Sequence, residues 1–204
     1  MKMKHIFREG KTESKNVLLL LHGTGGNEQD LLPIANMIDP EASVLSVRGN
    51  VSENGMPRFF KRLREGVFDE GDLIHRTKEL DEFLDEAAEA YGFKRENVIA
   101  AGYSNGANIA GSLLFHIKNS LKGALLFHAM VPRRNVELPD LTDKQLFIGA
   151  GENDPICPPE ETTELKKMFE NAGATVEVFW EKYGHQLTEA EVKEARKWYD
   201  KTQK

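Results

Sequence analysis

The chain has 204 residues, 40% hydrophobic and 29% charged, enough for one well-packed core and short for two, so a single domain spanning 1–204 is expected. Its net charge of -6, with lysines and arginines scattered through the sequence, disfavours nucleic acid or an anionic membrane as partner. A single cysteine, Cys157, excludes an intrachain disulfide, and no Cys/His cluster has structural-zinc spacing.

The first ten residues, Met1 to Gly10, lack the long apolar stretch and small-residue cleavage site of a secretory leader, and no apolar run reaches the length of a membrane span. A cytoplasmic protein is expected. Val17–Leu21 is the first predicted strand, apolar throughout, and His22-Gly23-Thr24-Gly25-Gly26-Asn27 follows it directly. A glycine-rich turn in that place exposes backbone N–H groups. It has neither the Gly-Lys-Ser/Thr ending of a phosphate loop nor the glycine spacing of a dinucleotide fingerprint. His22 is expected to buttress the loop rather than ligate a metal.

A helix over Asp30–Met37 and a strand over Ser43–Val47 come next. Arg48–Gly71 is then the longest irregular piece, too long for an ordinary connection, and so a candidate pocket wall or partial lid. Within it Arg58-Phe59-Phe60-Lys61-Arg62-Leu63-Arg64 interleaves basic and aromatic residues as a single-strand binder does, but Glu65, Asp69, Glu70 and Asp72 follow at once. The long helix Asp72–Tyr91 carries Leu73, Ile74, Thr77, Leu80, Leu84 and Ala87 at three-to-four residue spacing, an inward stripe.

Asn97–Tyr103 is a strand that runs into the helix Asn105–Ile117 through Gly102-Tyr103-Ser104-Asn105-Gly106, a G-x-S-x-G pentapeptide. A serine on so sharp a turn needs glycines two residues to either side, and the helix that opens beside it turns its N–H groups toward any negative charge formed there. The pentapeptide alone also occurs as plain packing. A serine alcohol becomes a useful nucleophile only with a histidine base, a carboxylate that orients it, and donors for the oxyanion.

Strands Gly123–Phe127, Gln145–Ala150 and Ala174–Trp180 and helices Pro159–Asn171 and Thr188–Thr202 complete the series, the last helix opening on a Thr188/Glu191 capping box. After the fifth strand, Gly151-Glu152-Asn153-Asp154-Pro155 offers Asp154 as the orienting acid, with Glu152 as competitor. After the sixth, Tyr183-Gly184-His185-Gln186 offers His185 as base. The other histidines fit less well: His5 is near the terminus, His75 and His116 lie on helices, His22 follows a strand immediately, and His128 precedes a pocket loop. The order Ser104, Asp154, His185 is that of the elbow architecture. The N–H groups of Thr24 and Asn105 are the oxyanion candidates. Phe59, Phe60, Met130, Val131 and Ile156 are loop-borne apolar residues on the expected active face and form the candidate substrate pocket, with a place in the core as the alternative for each.

Alternation of apolar strands with helices implies an α/β fold, a mostly parallel sheet covered on both faces as a three-layer sandwich, with function gathered after the strand C-termini. The motifs HGTGGNE, RGN, RFFKRL, GYSNGAN, MVP, GENDPICP and GHQLT, in that order, resemble an α/β-hydrolase of the carboxylesterase/phospholipase type, related to acyl-protein thioesterases. Within that type the similarity is greatest to small Bacillus-type carboxylesterases and hydroquinone-stress-associated hydrolases. The resemblance implies Ser104, Asp154 and His185 as a triad, Thr24 and Asn105 as oxyanion donors, no cofactor, a small-molecule ester substrate and a possible homodimer. Two departures from the thioesterase branch, Phe127 to Pro132 in place of a Ser-Gly loop and Thr24 in place of a bulkier apolar residue, weigh against acyl-protein specificity. Without a cap domain a shallow site for short acyl chains or small aromatic esters is expected. Thioester hydrolysis, action on aromatic or quinone-derived compounds, and a catalytically silent ligand receptor are the alternatives.

Overall fold

The structure, a computed structural model, describes residues 3–11 and 14–203; Met1 and Lys2, at the head of the segment read for a leader, lie outside them. In chain order the elements are β1 (His5–Arg8), β2 (Val17–Leu21), α1 (Leu32–Ile38), β3 (Ser43–Val47), β4 (Val51–Glu53), β5 (Met56–Arg58), β6 (Arg62–Arg64), β7 (Val67–Phe68) and α2 (Glu70–Tyr91). Then follow β8 (Val98–Tyr103), α3 (Asn105–His116), β9 (Gly123–Phe127), β10 (Gln145–Gly151), α4 (Pro159–Asn171), β11 (Thr175–Glu181) and α5 (Glu189–Thr202). Seven strands form one sheet in the order β1-β3-β2-β8-β9-β10-β11. All neighbours pair in parallel except β1, which runs antiparallel to β3.

The apolar strands are buried on both faces, as their sequences require. Leu18 and Leu20 pack with Ala35 and Ile38 of α1 and Val192, Ala195 and Trp198 of α5. Leu19 and Leu21 point the other way, into a core with Leu80 of α2, Leu113 of α3 and Phe169 of α4. At about 2 kcal/mol for each fully buried leucine, this double burial makes β2 a fixed point of the sheet. The expected three-layer, mostly parallel architecture is the one observed. No helix of the described residues is long and apolar enough to cross a membrane.

From β2 the chain moves outward to β3, and from β8 it moves the opposite way to β9, β10 and β11, so the strand order reverses between β2 and β8. The connections leave a crevice at the C-terminal ends of these two strands. Thr24 follows one of them and Ser104 the other.

Three local features differ from the sequence reading. Arg48–Gly71 is not irregular: β4 pairs with β5 around Asn54-Gly55, both at positive φ (52° and 81°), and β6 with β7 around Gly66. Asn-Gly is the turn that fits the twist of a two-residue hairpin, so that dipeptide was the signal. In α2, Phe83 joins Leu73, Thr77, Leu80, Leu84 and Ala87 in the buried stripe while Ile74 is half-buried, because this helix packs over the sheet with a wider face than one stripe. β1 has no fully apolar face to announce it and was not foreseen; it is an edge strand held by its ladder to β3.

Candidate active site

Ser104 stands between β8 and α3 with φ 52° and ψ -113°, a conformation that side chains rarely adopt and that only over-determined surroundings maintain. The surroundings are close. A Cβ on Gly102 would lie 2.6 Å from Gly106 O, and one on Gly106 would lie 1.9 Å from Leu21 O. Glycine at both positions lets the turn press against β2. Ser104 N–H donates to Phe127 O (2.9 Å) and Ser104 O accepts from Asn108 N–H (2.9 Å), which fixes the turn between β9 and α3.

His185 lies on the loop between β11 and α5. Its Nε2 is 2.8 Å from Ser104 Oγ and its Nδ1 2.6 Å from Asp154 Oδ2. With Asp154 ionised and able only to accept, the imidazole proton belongs on Nδ1, and Nε2 accepts from the serine hydroxyl. The ring is held from behind as well, since Tyr103 OH donates to His185 O at 2.5 Å. Asp154 is buried, and burial by itself would raise its pKa. The N–H groups of Cys157 and Ile156 on Oδ1 (2.9 and 2.8 Å), together with His185 and His128, outweigh burial and hold the carboxyl below the usual carboxylate range. Glu152, the competing acid, is exposed and paired instead with Lys182.

His128, set aside as the base, does not hydrogen-bond to Ser104, but it meets the same acid, a contact with no mark in the sequence. It ends β9 with φ 56°, is 1% exposed, and points Nδ1 at the same Asp154 Oδ2, 2.8 Å away. Its Nε2 lies 3.1 Å from Oε1 and 3.3 Å from Oε2 of Glu191, a fully buried glutamate of α5. Burial would lower the His128 pKa, but the Glu191 and Asp154 carboxylates overcome it and raise the pKa above the ordinary imidazole value. Glu191 had been legible only as half of a capping box, which it also is: Thr188 N–H donates to its Oε2 (2.9 Å) and Thr188 Oγ1 accepts from Glu191 N–H (3.2 Å). His128, Asp154 and His185 have the residue types of a metal site. Both Nδ1 atoms, however, spend themselves on Asp154 Oδ2, so the cluster is already satisfied as a hydrogen-bond network.

Across the cleft the loop after β2 is tied down. His22 donates from Nδ1 to Gly23 O (2.6 Å) and accepts from Gly49 N–H at Nε2 (3.0 Å); burial lowers its pKa and keeps it neutral, the buttress expected. Gly25 N–H donates to Pro57 O, and Arg58 Nη1 donates to Thr24 Oγ1 at 2.6 Å. Thr24 and Asn105 both line the cleft beside Ser104, and Asn105 Oδ1 accepts from Phe59 N–H (2.7 Å), which pins the start of α3 to the wall. Arg58, nearly fully buried, lines the cleft, although in the sequence it reads only as part of a stretch interleaving basic and aromatic residues. It also reaches Phe60 O, and with Arg62 it shares the Glu53 carboxylate.

Of the candidate pocket residues, Met130 and Ile156 border the cleft with Ser104, Arg58 and Phe68, around a space of about 40 Å³. Phe59 and Phe60 do not: both are fully buried in the core beneath, Phe59 against the His22 ring and Phe60 against Phe68. Val131 is buried too, with its N–H on Glu161. Phe59 and Phe60, between β5 and β6, are turned inward, so of the two readings the core one holds for them and for Val131. Cys157 is buried with its thiol donating to Ala129 O, and burial pushes its pKa up to about 12, so it packs and does not react. A larger cavity of about 410 Å³ near Asn16, Asp39 and Lys122 lies at the opposite end of the sheet. Its polar groups already bond one another, Lys122 to Asn16 and Tyr199 to Asp39.

The model of the dienelactone hydrolase family matches residues 65–202, more than half of the chain. A Bacillus subtilis (strain 168) protein named as the hydrolase MhqD is 60% identical over 197 residues, covering 97% of this chain and 98% of that protein. Among solved structures, the Bacillus cereus carboxylesterase matches with a TM-score of 0.97 and 66% identity over 98% of this chain and 95% of that one. YahD, solved with malic acid, matches with a TM-score of 0.93 and 35% identity over 98% and 99%. The architecture is that of the α/β-hydrolase fold, and the expected kinship with carboxylesterases is borne out. The chain is a hydrolytic enzyme and belongs to the dienelactone hydrolase family.

Proposed function

We propose that the protein is a serine esterase that hydrolyses small or short-acyl carboxylic esters through an acyl-Ser104 intermediate. The observation that carries this reading is the chain of contacts Ser104 Oγ to His185 Nε2 (2.8 Å) and His185 Nδ1 to Asp154 Oδ2 (2.6 Å), on a strained turn at the sheet's topological switch. Ser104 Oγ attacks the ester carbonyl as His185 takes its proton, and the carbonyl oxygen becomes an oxyanion held by the N–H groups of Thr24 and Asn105. His185 then returns the proton to the departing alcohol oxygen, leaving the acyl group on Ser104. A water molecule, deprotonated by His185, attacks that acyl carbonyl. The second tetrahedral intermediate collapses to carboxylic acid and free Ser104, which recovers its proton from His185. Asp154 remains a carboxylate throughout and fixes the tautomer of His185.

The 66%-identical relative described as a carboxylesterase supports the ester bond as target. The test is reaction with a fluorophosphonate probe, with the modified peptide located by mass spectrometry, alongside hydrolysis of p-nitrophenyl acetate and p-nitrophenyl palmitate. Expected are labelling at Ser104, none in Ser104→Ala, and a clear preference for the acetate. Folded protein that neither labels nor turns over either ester would overturn the reading in favour of a silent receptor.

A further inference from the structure

We propose that His128 is a positioning residue for the reaction at Ser104: held as an imidazolium between Asp154 and Glu191, it shares the acid's Oδ2 with His185 and limits how strongly Asp154 holds a proton on His185. This rests on the esterase reading for its kinetic consequence but not for its charge state. The contacts support that protonation. Asp154, acceptor-only when ionised, receives Nδ1–H from both His185 (2.6 Å) and His128 (2.8 Å). A neutral His128 with its proton on Nδ1 would turn a bare Nε2 lone pair toward the Glu191 carboxylate, 3.1 and 3.3 Å away. The imidazolium supplies a donor at both ends.

The site is built for that ion. Asp154 and Glu191 are both shielded from water, and two carboxylates so placed demand a cation or a proton. Gly149 leaves the necessary room, since a Cβ there would lie 2.8 Å from Glu191 Oε1. His128 keeps a left-handed backbone at φ 56°, with its N–H on Gly149 O (2.8 Å).

The other groups around the ring do not supply the charge. Tyr103, from the end of β8, meets the His128 ring edge-on at 5.9 Å, and burial with the nearby carboxylates raises its phenol pKa. The Cys157 thiol, from the loop after β10, stays protonated. Glu161 of α4 is paired with Arg134, and Glu181 of β11 accepts from Thr188 Oγ1. His185 itself lies 5.1 Å away, ring to ring. The arm formed by Asp154, Glu191 and His128 thus carries one negative charge at rest, which a protonated His185 neutralises in the transition state. Without the His128 charge the arm carries two, and His185 gives up its proton only at higher pH.

The test is the pH dependence of kcat/KM for p-nitrophenyl acetate in the wild type, His128→Gln and the double variant His128→Gln/Glu191→Gln. The single variant is expected to move the acidic limb up by about one pH unit. The double variant, with the arm's charge restored, is expected to bring the limb most of the way back. A limb that does not move in the single variant, or that moves as far in the double, would overturn the proposal, because a purely structural role has no reason to follow charge. Imidazole 1H–15N NMR of the wild type near pH 7 gives a separate reading that needs no variant to fold: both His128 nitrogens are expected to be protonated, and a single N–H would refute the charge state. Should the wild type hydrolyse no ester, the esterase reading falls while the NMR result still decides His128.

Discussion

On the side of Ser104 formed by the ends of β9 and β10 and the start of α5, the polar side chains of His128, Asp154 and Glu191 are at most 1% exposed, and each is bonded to its neighbour. On the side formed by β5 and β6, Arg58 is buried but its partners Glu53 and Arg62 keep 30% and 25% of their side chains in solvent, on strands of three residues. The closed side sits where the central strands β9 and β10 end, and the hairpin side rests on short ladders. On the proposed esterase reading, the closed side would position the chemistry and the hairpin side would shape recognition.

The comparison breaks first at the acid. Asp154→Asn keeps the shape of the closed side but lets His185 take the wrong tautomer, and kcat for p-nitrophenyl acetate is expected to fall on the order of ten-thousandfold with circular dichroism unchanged. A loss below tenfold would mean that the closed side does not direct the proton. On the hairpin side, Arg58→Met removes the hydrogen bond to Thr24 Oγ1 and loosens the loop that presents its N–H. Deleting an oxyanion donor outright costs about a hundredfold to a thousandfold, so loosening one is expected to cost roughly tenfold in kcat. A change confined to KM would instead assign Arg58 to substrate binding alone.

The smallest expected effect is on stability. The raised pKa of folded His128 contributes stability that is fully present below the ordinary imidazole range and is lost as pH rises through the folded value. The depressed pKa of Asp154 contributes in the opposite sense, present above the ordinary carboxylate range and lost on acidification. Thermal melting of the wild type should therefore decline on the alkaline side of neutrality, and His128→Gln should reduce that decline by about 2–4 °C, the equivalent of roughly 1 kcal/mol in a chain of this size. An identical alkaline slope in the two proteins would count against a charged His128.

Much of this was written in the chain itself. A short run such as Val17–Leu21, with no polar position and Gly-rich residues after it, reads as a strand covered on both faces, and β2, β3 and β9 match their predicted bounds. Ser104, Asp154 and His185 were legible as candidates because each lies in the turn or loop after the C-terminal end of a strand and their order is informative, and the structure brings their side chains within hydrogen-bond distance. Residues whose part depends on what lies across space left no such mark. His128 reads as an ordinary histidine beside a loop until β10 and α5 bring Asp154 and Glu191, 26 and 63 residues away, to its two nitrogens. Arg58 reads as part of an interleaved basic and aromatic stretch until the hairpins fold it under the loop of Thr24, and Phe59 and Phe60 read as pocket or core until the same hairpins turn them into the core. Periodicity and turn chemistry are local, so the sequence determined the apolar central strands, the helices and the elbow, but not the edge strand β1 or the short strands β4–β7. Burial and ion pairing between distant segments are not local, and only the tertiary structure decided which histidine lies between two carboxylates and which side chains face the cleft.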